Sequence, residues 1–343
     1  MLGAGLGLAA LPLAGLRAEG PGIKTGADMA KAEAEGEVLF YTHDGEAGAA
    51  AVVEGFNKDY PKIKANYLRA QNGALYNKIT SERSAGRFSV DAIQFSEVGT
   101  AMDFQKRGGF ERYESPQFSA YKPEDLSSPP GFYSWTGVTF AGIAYNTDRV
   151  PAAEAPKTWQ DLLDPKWRNA ISVKQATSGM QFVQWYELRQ LFGDDYWKAF
   201  AKQRPKGFDS RAQLFDRLAK GDDKVCGLAE YAGYDLYKQK GAPIAFVAPP
   251  AGLPVTPTSA GVVSKAPHPE AAKLFIDWLL SPKGQAVTQG NPYLLYPSLR
   301  NDAPPLQGGV KLSDFKLLSP KDMDKYLASH DTFTKQWNGM LGL

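Results

Sequence analysis

The sequence predicts an α/β protein of two lobes, joined by two extended crossings and closing like a clamshell on a shared cleft. Three observations carry this expectation. The chain has 343 residues, more than the ~250–300 at which single hydrophobic cores stop growing. Short β-rich runs alternate with helical patterns from residue 28 to about residue 280, as in a mostly parallel sheet flanked by helices. The alternation is broken twice: by the Pro-, Gly- and Ser-rich residues 115–131 with the β-rich run 133–145, and by Pro249-Pro250 with the prolines of 254–257. Two separate crossings assign residues 28–140 and 260–343 to one discontinuous lobe and 141–259 to the other.

A short helix over 27–34 leads into a strand at 38–42. Val52, Val53, Phe56 and Tyr60 then fall at offsets 0, 1, 4 and 8, one helical face, and Pro61 ends that helix. Strand 63–68, helix 75–84, strand 90–95 and helix 100–107 follow, the last closed by Gly108-Gly109. After the first crossing, Thr158 can cap a helix bearing Leu162 and Leu163, and 170–173 reads as a strand. Trp185, Leu188 and Phe192, then Trp197 and Phe200, mark two helices; Asp209 or Ser210 caps another carrying Leu214, Phe215 and Leu218. Strands are expected at 225–228, 244–247 and 260–264. Pro269 opens a helix whose Ala271, Leu274, Phe275, Trp278 and Leu279 lie at offsets 0, 3, 4, 7 and 8. The final stretch reads as loops and helices forming a clasp on the first lobe.

Residues 2–16 are apolar or small and precede Arg17-Ala18-Glu19. That run is shorter than the ~20 residues a bilayer span needs and has the length of a signal-peptide core. Residues 1–18 are therefore expected to be a signal peptide cleaved near Ala18, and the mature protein to be exported and soluble. A net charge of +2 with dispersed Lys and Arg offers no nucleic-acid surface. Cys226 is the single cysteine, which excludes an internal disulfide and leaves no cysteine near Ala18 to carry a lipid anchor. Its setting, Val225-Cys226-Gly227-Leu228, reads as a buried strand with a packed thiol.

Several segments resemble ABC-transporter periplasmic solute-binding proteins of the type II clamshell. Gly36-Glu37-Val38, Tyr41-Thr42 and Phe56-Asn57-Lys58-Asp59-Tyr60-Pro61 are similar to the family's first strand and helix. Asp91-Ala92-Ile93 resembles its third strand and Ala144-Tyr145-Asn146-Thr147 its crossing. Thr158-Trp159-Gln160-Asp161-Leu162-Leu163-Asp164-Pro165-Lys166-Trp167 and the run Pro269 to Pro282 match two further family segments, with Trp159, Trp167, Phe275 and Trp278 as core anchors. The resemblance covers roughly residues 28–300. The cluster it points to includes binders of ferric iron, polyamines, thiamine and phosphonates. It implies a periplasmic monomer without a cofactor, which delivers a small-molecule ligand to a permease in the inner membrane.

Ligand contacts in such a fold come from loops that follow strands and from helix N-termini. The candidates are Thr42 and His43; Ser96, which the resemblance makes a cleft position; Thr177, Ser178 and Gly179 at one helix start; Ser210 and Arg211 at another; and Glu230, Tyr231 and Tyr234. Hydroxyls, free backbone amides and a guanidinium suit a small organic anion, a carboxylate or a phosphorus compound. Tyrosine adds a stacking face and a hydroxyl. The family's ferric binders place a histidine four residues after the strand-end tyrosine, here Gly45, and a glutamate five after the aspartate, here Ser96. Their adjacent tyrosines correspond to Ala232-Gly233. Iron is the alternative, and would need Glu97, Tyr231 and Tyr234 from slipped loops. An enzyme is the alternative of another class. GxSxG, HExxH and P-loop patterns are absent beyond the leader, and only His43 with Asp44 and Glu46 suggests a hydrolytic site.

Overall fold

The computed structural model describes residues 22–175, 179–208, 210–291, 294–306 and 309–342; the expected signal peptide, Thr177, Ser178 and Asp209 lie outside them. The N-terminal part builds helix α1 (Met29–Glu35), strand β1 (Glu37–Thr42), α2 (Glu46–Asp59), β2 (Lys64–Arg69), α3 (Asn72–Ser84), β3 (Ala92–Phe95) and α4 (Val98–Lys106). Asp28 caps α1 by accepting from the amides of Ala30 and Lys31, and Gly36 ends it with φ 73°. Strands β2, β1 and β3 lie side by side and parallel. β3 is buried throughout, whereas β2, at the edge of the sheet, stays largely open.

One strand then does most of the crossing. β4 (Ser134–Asn146) is a continuous run of 13 residues, about 43 Å at the usual rise. Its first part pairs with β9 (Leu253–Val262), whose far end pairs antiparallel with β3. Its second part pairs with β7 (Val225–Glu230) on one edge and β8 (Ile244–Val247) on the other. Next to β7 come β5 (Ile171–Lys174) and β6 (Lys206–Phe208), both parallel. Two strand groups therefore share β4 and β9. The prolines at 254 and 257 do not make the second crossing irregular, as the sequence suggested. β9 is paired to β10 alone at Pro254 and to β4 alone at Pro257, so each missing N–H can be accommodated on the other edge.

Helices α5 (Met180–Phe192), α6 (Asp194–Ala201), α7 (Arg211–Lys220) and α8 (Tyr231–Gln239) flank the second group. The segment after Thr158 is a short 3-10 turn, 160–163, rather than an α-helix. α9 (Pro269–Leu280) and α10 (Pro282–Gly290) return to the first group. There Phe275 and Trp278 pack on Phe56 with ring centroids 5.1 and 5.7 Å apart. Trp159, Trp167, Phe275 and Trp278 are all buried, as core anchors should be.

The end of the chain departs from the expected clasp on the first lobe. After α10 a two-residue strand, β10 (Leu317–Leu318), runs parallel to the start of β9. Helices α11 (Met323–Ala328) and α12 (His330–Leu341) then pack on the second group. Phe333 lies 5.1 Å from Phe182 and Trp337 lies 5.6 Å from Trp197, centroid to centroid, and the Trp337 indole N–H donates to the Lys174 carbonyl at 3.1 Å. The physical reason is the apolar pair Phe333 and Trp337, four apart on one helical face: it covers Phe182 and Trp185 on α5. Residues 311–322 thus form a third crossing that the sequence did not reveal.

Candidate functional site

The strand register opens a gap between the two groups. Phe95, the end of β3, lies level with Ser259 and through it with Trp135 on β4, whereas Glu230, the end of β7, lies level with Ala141. That separation along β4 is about 20 Å. The carboxyl ends of β1, β3, β5 and β7 face this gap from its two sides, where ligands of open α/β sheets bind.

On the first side, Thr42 is buried and committed to the fold. Its hydroxyl donates to Gln94 Oε1 at 3.2 Å and accepts from the Asp44 amide at 3.1 Å. Asp44 Oδ1 accepts from the Tyr296 hydroxyl at 2.9 Å, and the Arg69 Nε–H donates to the Asp44 carbonyl at 3.1 Å. His43 Nε2 is buried 3.6 Å from Asp44 Oδ1, too far for a hydrogen bond. Burial, with Arg69 nearby, pushes the His43 imidazole down in pKa against the opposing pull of Asp44. With its Nε2 buried and unbonded, this ring is not a general base presented to solvent. Ser96 and Glu97 do reach a cavity: the Ser96 amide donates to Asn72 Oδ1 at 3.0 Å, and both residues line a hollow of about 220 Å³ shared with Gly179.

On the second side, Gly179 starts α5 with φ 60°, a conformation that favours glycine. Ser210 is consumed as the cap of α7: its hydroxyl accepts from the Gln213 amide at 3.1 Å, and Gln213 Oε1 accepts from the Ser210 amide in return. Arg211 turns instead to Glu230, Nη1 to Oε2 at 3.3 Å, and Lys174 Nζ stands 3.8 Å from the other oxygen of the same carboxylate. Two cations from β5 and α7 therefore flank one carboxylate at the end of β7. Tyr231 stacks on Phe140 at 4.8 Å and 18°. Tyr234 lies 5.6 Å from Tyr231 and 5.4 Å from Phe246, and burial raises its phenol pKa.

The iron set is not assembled. Glu97 lines the hollow beside Gly179, whereas Tyr231 lines another of about 310 Å³ with Asp235, Gln289 and Leu295. Among the described residues no group of three or more His, Cys, Asp or Glu is placed to hold a metal. Lys174 and the residues of α11 and α12 are the site groups that sequence reading missed. Lys174 is a lone charge at a strand end, and nothing local distinguishes it from a solvated lysine.

The pattern of the bacterial extracellular solute-binding proteins matches residues 90–314. The chain belongs to that family. It is therefore an extracellular solute-binding protein, and a binding protein rather than an enzyme. It is 26% identical over 258 residues to iron uptake protein A1 of Synechocystis sp., covering 67% of this chain and 68% of the relative. The Trichodesmium IdiA (FutA) protein in complex with iron and citrate has a TM-score of 0.72 at 19% identity, over 89% of this chain and 99% of that one. AfuA from Actinobacillus pleuropneumoniae with bound fructose-6-phosphate has a TM-score of 0.64 at 23% identity, over 90% and 99%. The solved structures establish the α/β fold of type II periplasmic binding proteins.

Proposed function

We propose that the protein captures a small organic anion, a carboxylate or a phosphorus compound, and hands it to an inner-membrane permease. One observation carries the reading: Lys174 and Arg211 converge on Glu230 at the carboxyl ends of the second strand group. An anionic ligand entering there meets both cations close to the N-terminus of α5, whose dipole adds to the attraction. Residues 28–140 with the helices α9 and α10 form one lobe. Residues 141–259 with α11 and α12 form the other, and β4 and β9 act as hinges. Closure follows because a bridging solute makes more contacts in the closed state than in the open one.

Ferric iron is the second reading. The names of the Synechocystis and Trichodesmium relatives favour it over an organic anion, whereas the sugar phosphate in AfuA favours the anion. The separation of Glu97 from Tyr231 speaks against a ferric centre built like the one the sequence alternative required, since a hard trivalent ion needs several anionic oxygens at once. A thermal-shift screen of the mature protein separates the two. An organic anion at about 100 times its Kd adds about 2.7 kcal/mol of stability. Stabilisation by Fe³⁺ with no response to any carboxylate, phosphate ester or phosphonate would overturn the anion reading.

A further inference from the structure

The hollow of about 310 Å³ that Tyr231 borders lies between α8 of the second lobe and α10 with residues 295–306 of the first. The Tyr296 hydroxyl bonds Asp44 and the Ser298 amide bonds Gln289 Oε1, each at 2.9 Å, which ties that loop to the first lobe. Asp235 lines the hollow from the second turn of α8 and is 8% exposed. A carboxylate buried to that degree ordinarily has a cationic partner. Among the described residues Asp235 has only a neutral one: Gln239 Nε2 donates to its Oδ2 at 2.7 Å. Burial pushes the Asp235 pKa up against the pull of that hydrogen bond, with no cation contributing. Among the described residues the lining holds no Lys, Arg or His. On the first-lobe side Gln289 and Gly290 end α10, and a helix C-terminus carries partial negative charge. The start of α8 at Tyr231 carries about half a positive unit, less than the whole negative unit on Asp235. The rest of the wall is apolar: Leu295, Leu306 and the prolines at 297, 304 and 305.

We infer that this hollow is a second ligand site, separate from Lys174 and Arg211, and that it takes a small organic ammonium ion with an apolar body. The ammonium pairs with Asp235 in a charge-assisted hydrogen bond and relieves an unpaired buried charge. The body lies on the prolines and leucines. A bare metal ion is a poor match, because hard cations take about six or more oxygen ligands and this wall offers one carboxylate. An anion would meet Asp235 with no cation to receive it. Because the lining comes from both lobes, an occupant also favours the arrangement in which they meet. The inference goes beyond the anion reading and does not rest on it.

Isothermal titration of the mature protein with butylammonium chloride, against the neutral 1-butanol, tests this. Butylammonium should bind at least about tenfold more tightly than 1-butanol. Asp235→Asn, which keeps an acceptor for Gln239, should weaken butylammonium about tenfold or more. Ala286 is exposed on α10 and borders the hollow. Ala286→Lys should therefore weaken butylammonium about fivefold or more, whereas Ala286→Glu should not weaken it; far-UV circular dichroism checks that each variant is folded. In hydrogen exchange, butylammonium should protect residues 231–235 and 286–290. An affinity that 1-butanol equals, the absence of saturable butylammonium binding, or protection centred elsewhere overturns the inference. So does a folded Asp235→Asn or Ala286→Lys variant that binds butylammonium like the wild type.

Discussion

Replacing Arg211 by alanine should weaken binding of phenylphosphonate about tenfold. The Arg211 guanidinium lies 3.3 Å from Glu230, with Lys174 3.8 Å from the same carboxylate. A hydrogen bond to a charged group contributes about 1.5–3 kcal/mol, or roughly 12- to 150-fold in Kd. Arg211 is 46% exposed, so solvent screening places the effect at the low end of that range. Lys174→Ala should act in the same direction. Glu230→Gln should act in the opposite one, because it removes the resident carboxylate that competes for both cations, and Kd should fall about threefold or more. Calorimetric titrations at low and at 0.15 M salt would measure this, with the wild-type affinity weakening as salt rises. A Kd unchanged within twofold in both cation variants would refute the reasoning, as would a Glu230→Gln variant that binds as weakly as they do.

Three further outcomes follow from the packing. Trp159→Ala should cost about 3–5 kcal/mol in denaturant unfolding, because the indole is fully buried and its N–H donates to the Gly252 carbonyl at 3.0 Å; a loss below about 1 kcal/mol would show that the site can collapse. Asp125 is raised from 3.8 to about 7, chiefly by burial, and its Oδ1 lacks a partner, while burial likewise raises Glu187 to about 7. A carboxyl whose folded pKa lies above its unfolded one stabilises the fold at low pH and loses that contribution as pH rises from the unfolded value to about 7; Tm should therefore drop between about pH 4 and 7, and Asp125→Asn should flatten part of that slope. The Cys226 thiol, fully buried and pushed up to about 12 by desolvation, should resist a thiol reagent in the native state and react on unfolding; rapid native labelling would contradict the packing.

What the sequence disclosed was mainly what is locally encoded. The offsets of Phe275 and Trp278 gave a helix and its buried face, and both residues are buried. The order of family segments gave the crossing at Ala144-Tyr145-Asn146, which is the end of β4. The three residues of β6 carry no readable period and were missed. Phe333 and Trp337 announce an apolar face, but nothing local says which surface it covers, so α12 was assigned to the wrong partner. The same limit applies to the site. A short polar residue after a strand or before a helix looks alike whether it meets a ligand or the backbone: Ser96 reaches a cavity, whereas Thr42 and Ser210 are spent on Gln94, Asp44 and Gln213. Arg211 and Glu230 were legible as charged groups at element ends; the approach of Lys174 to the same carboxylate was not.

The most direct test of a solute held between the two strand groups is amide hydrogen exchange with and without saturating phenylphosphonate. Protection should rise together at residues 96–99 after β3, at 179–183 opening α5, and at 230–232 after β7, segments that come from both sides of the gap. Protection confined to one side, or found instead around the tryptophan-lined hollow of Trp185, Trp197 and Trp337, would contradict a ligand bridging the lobes.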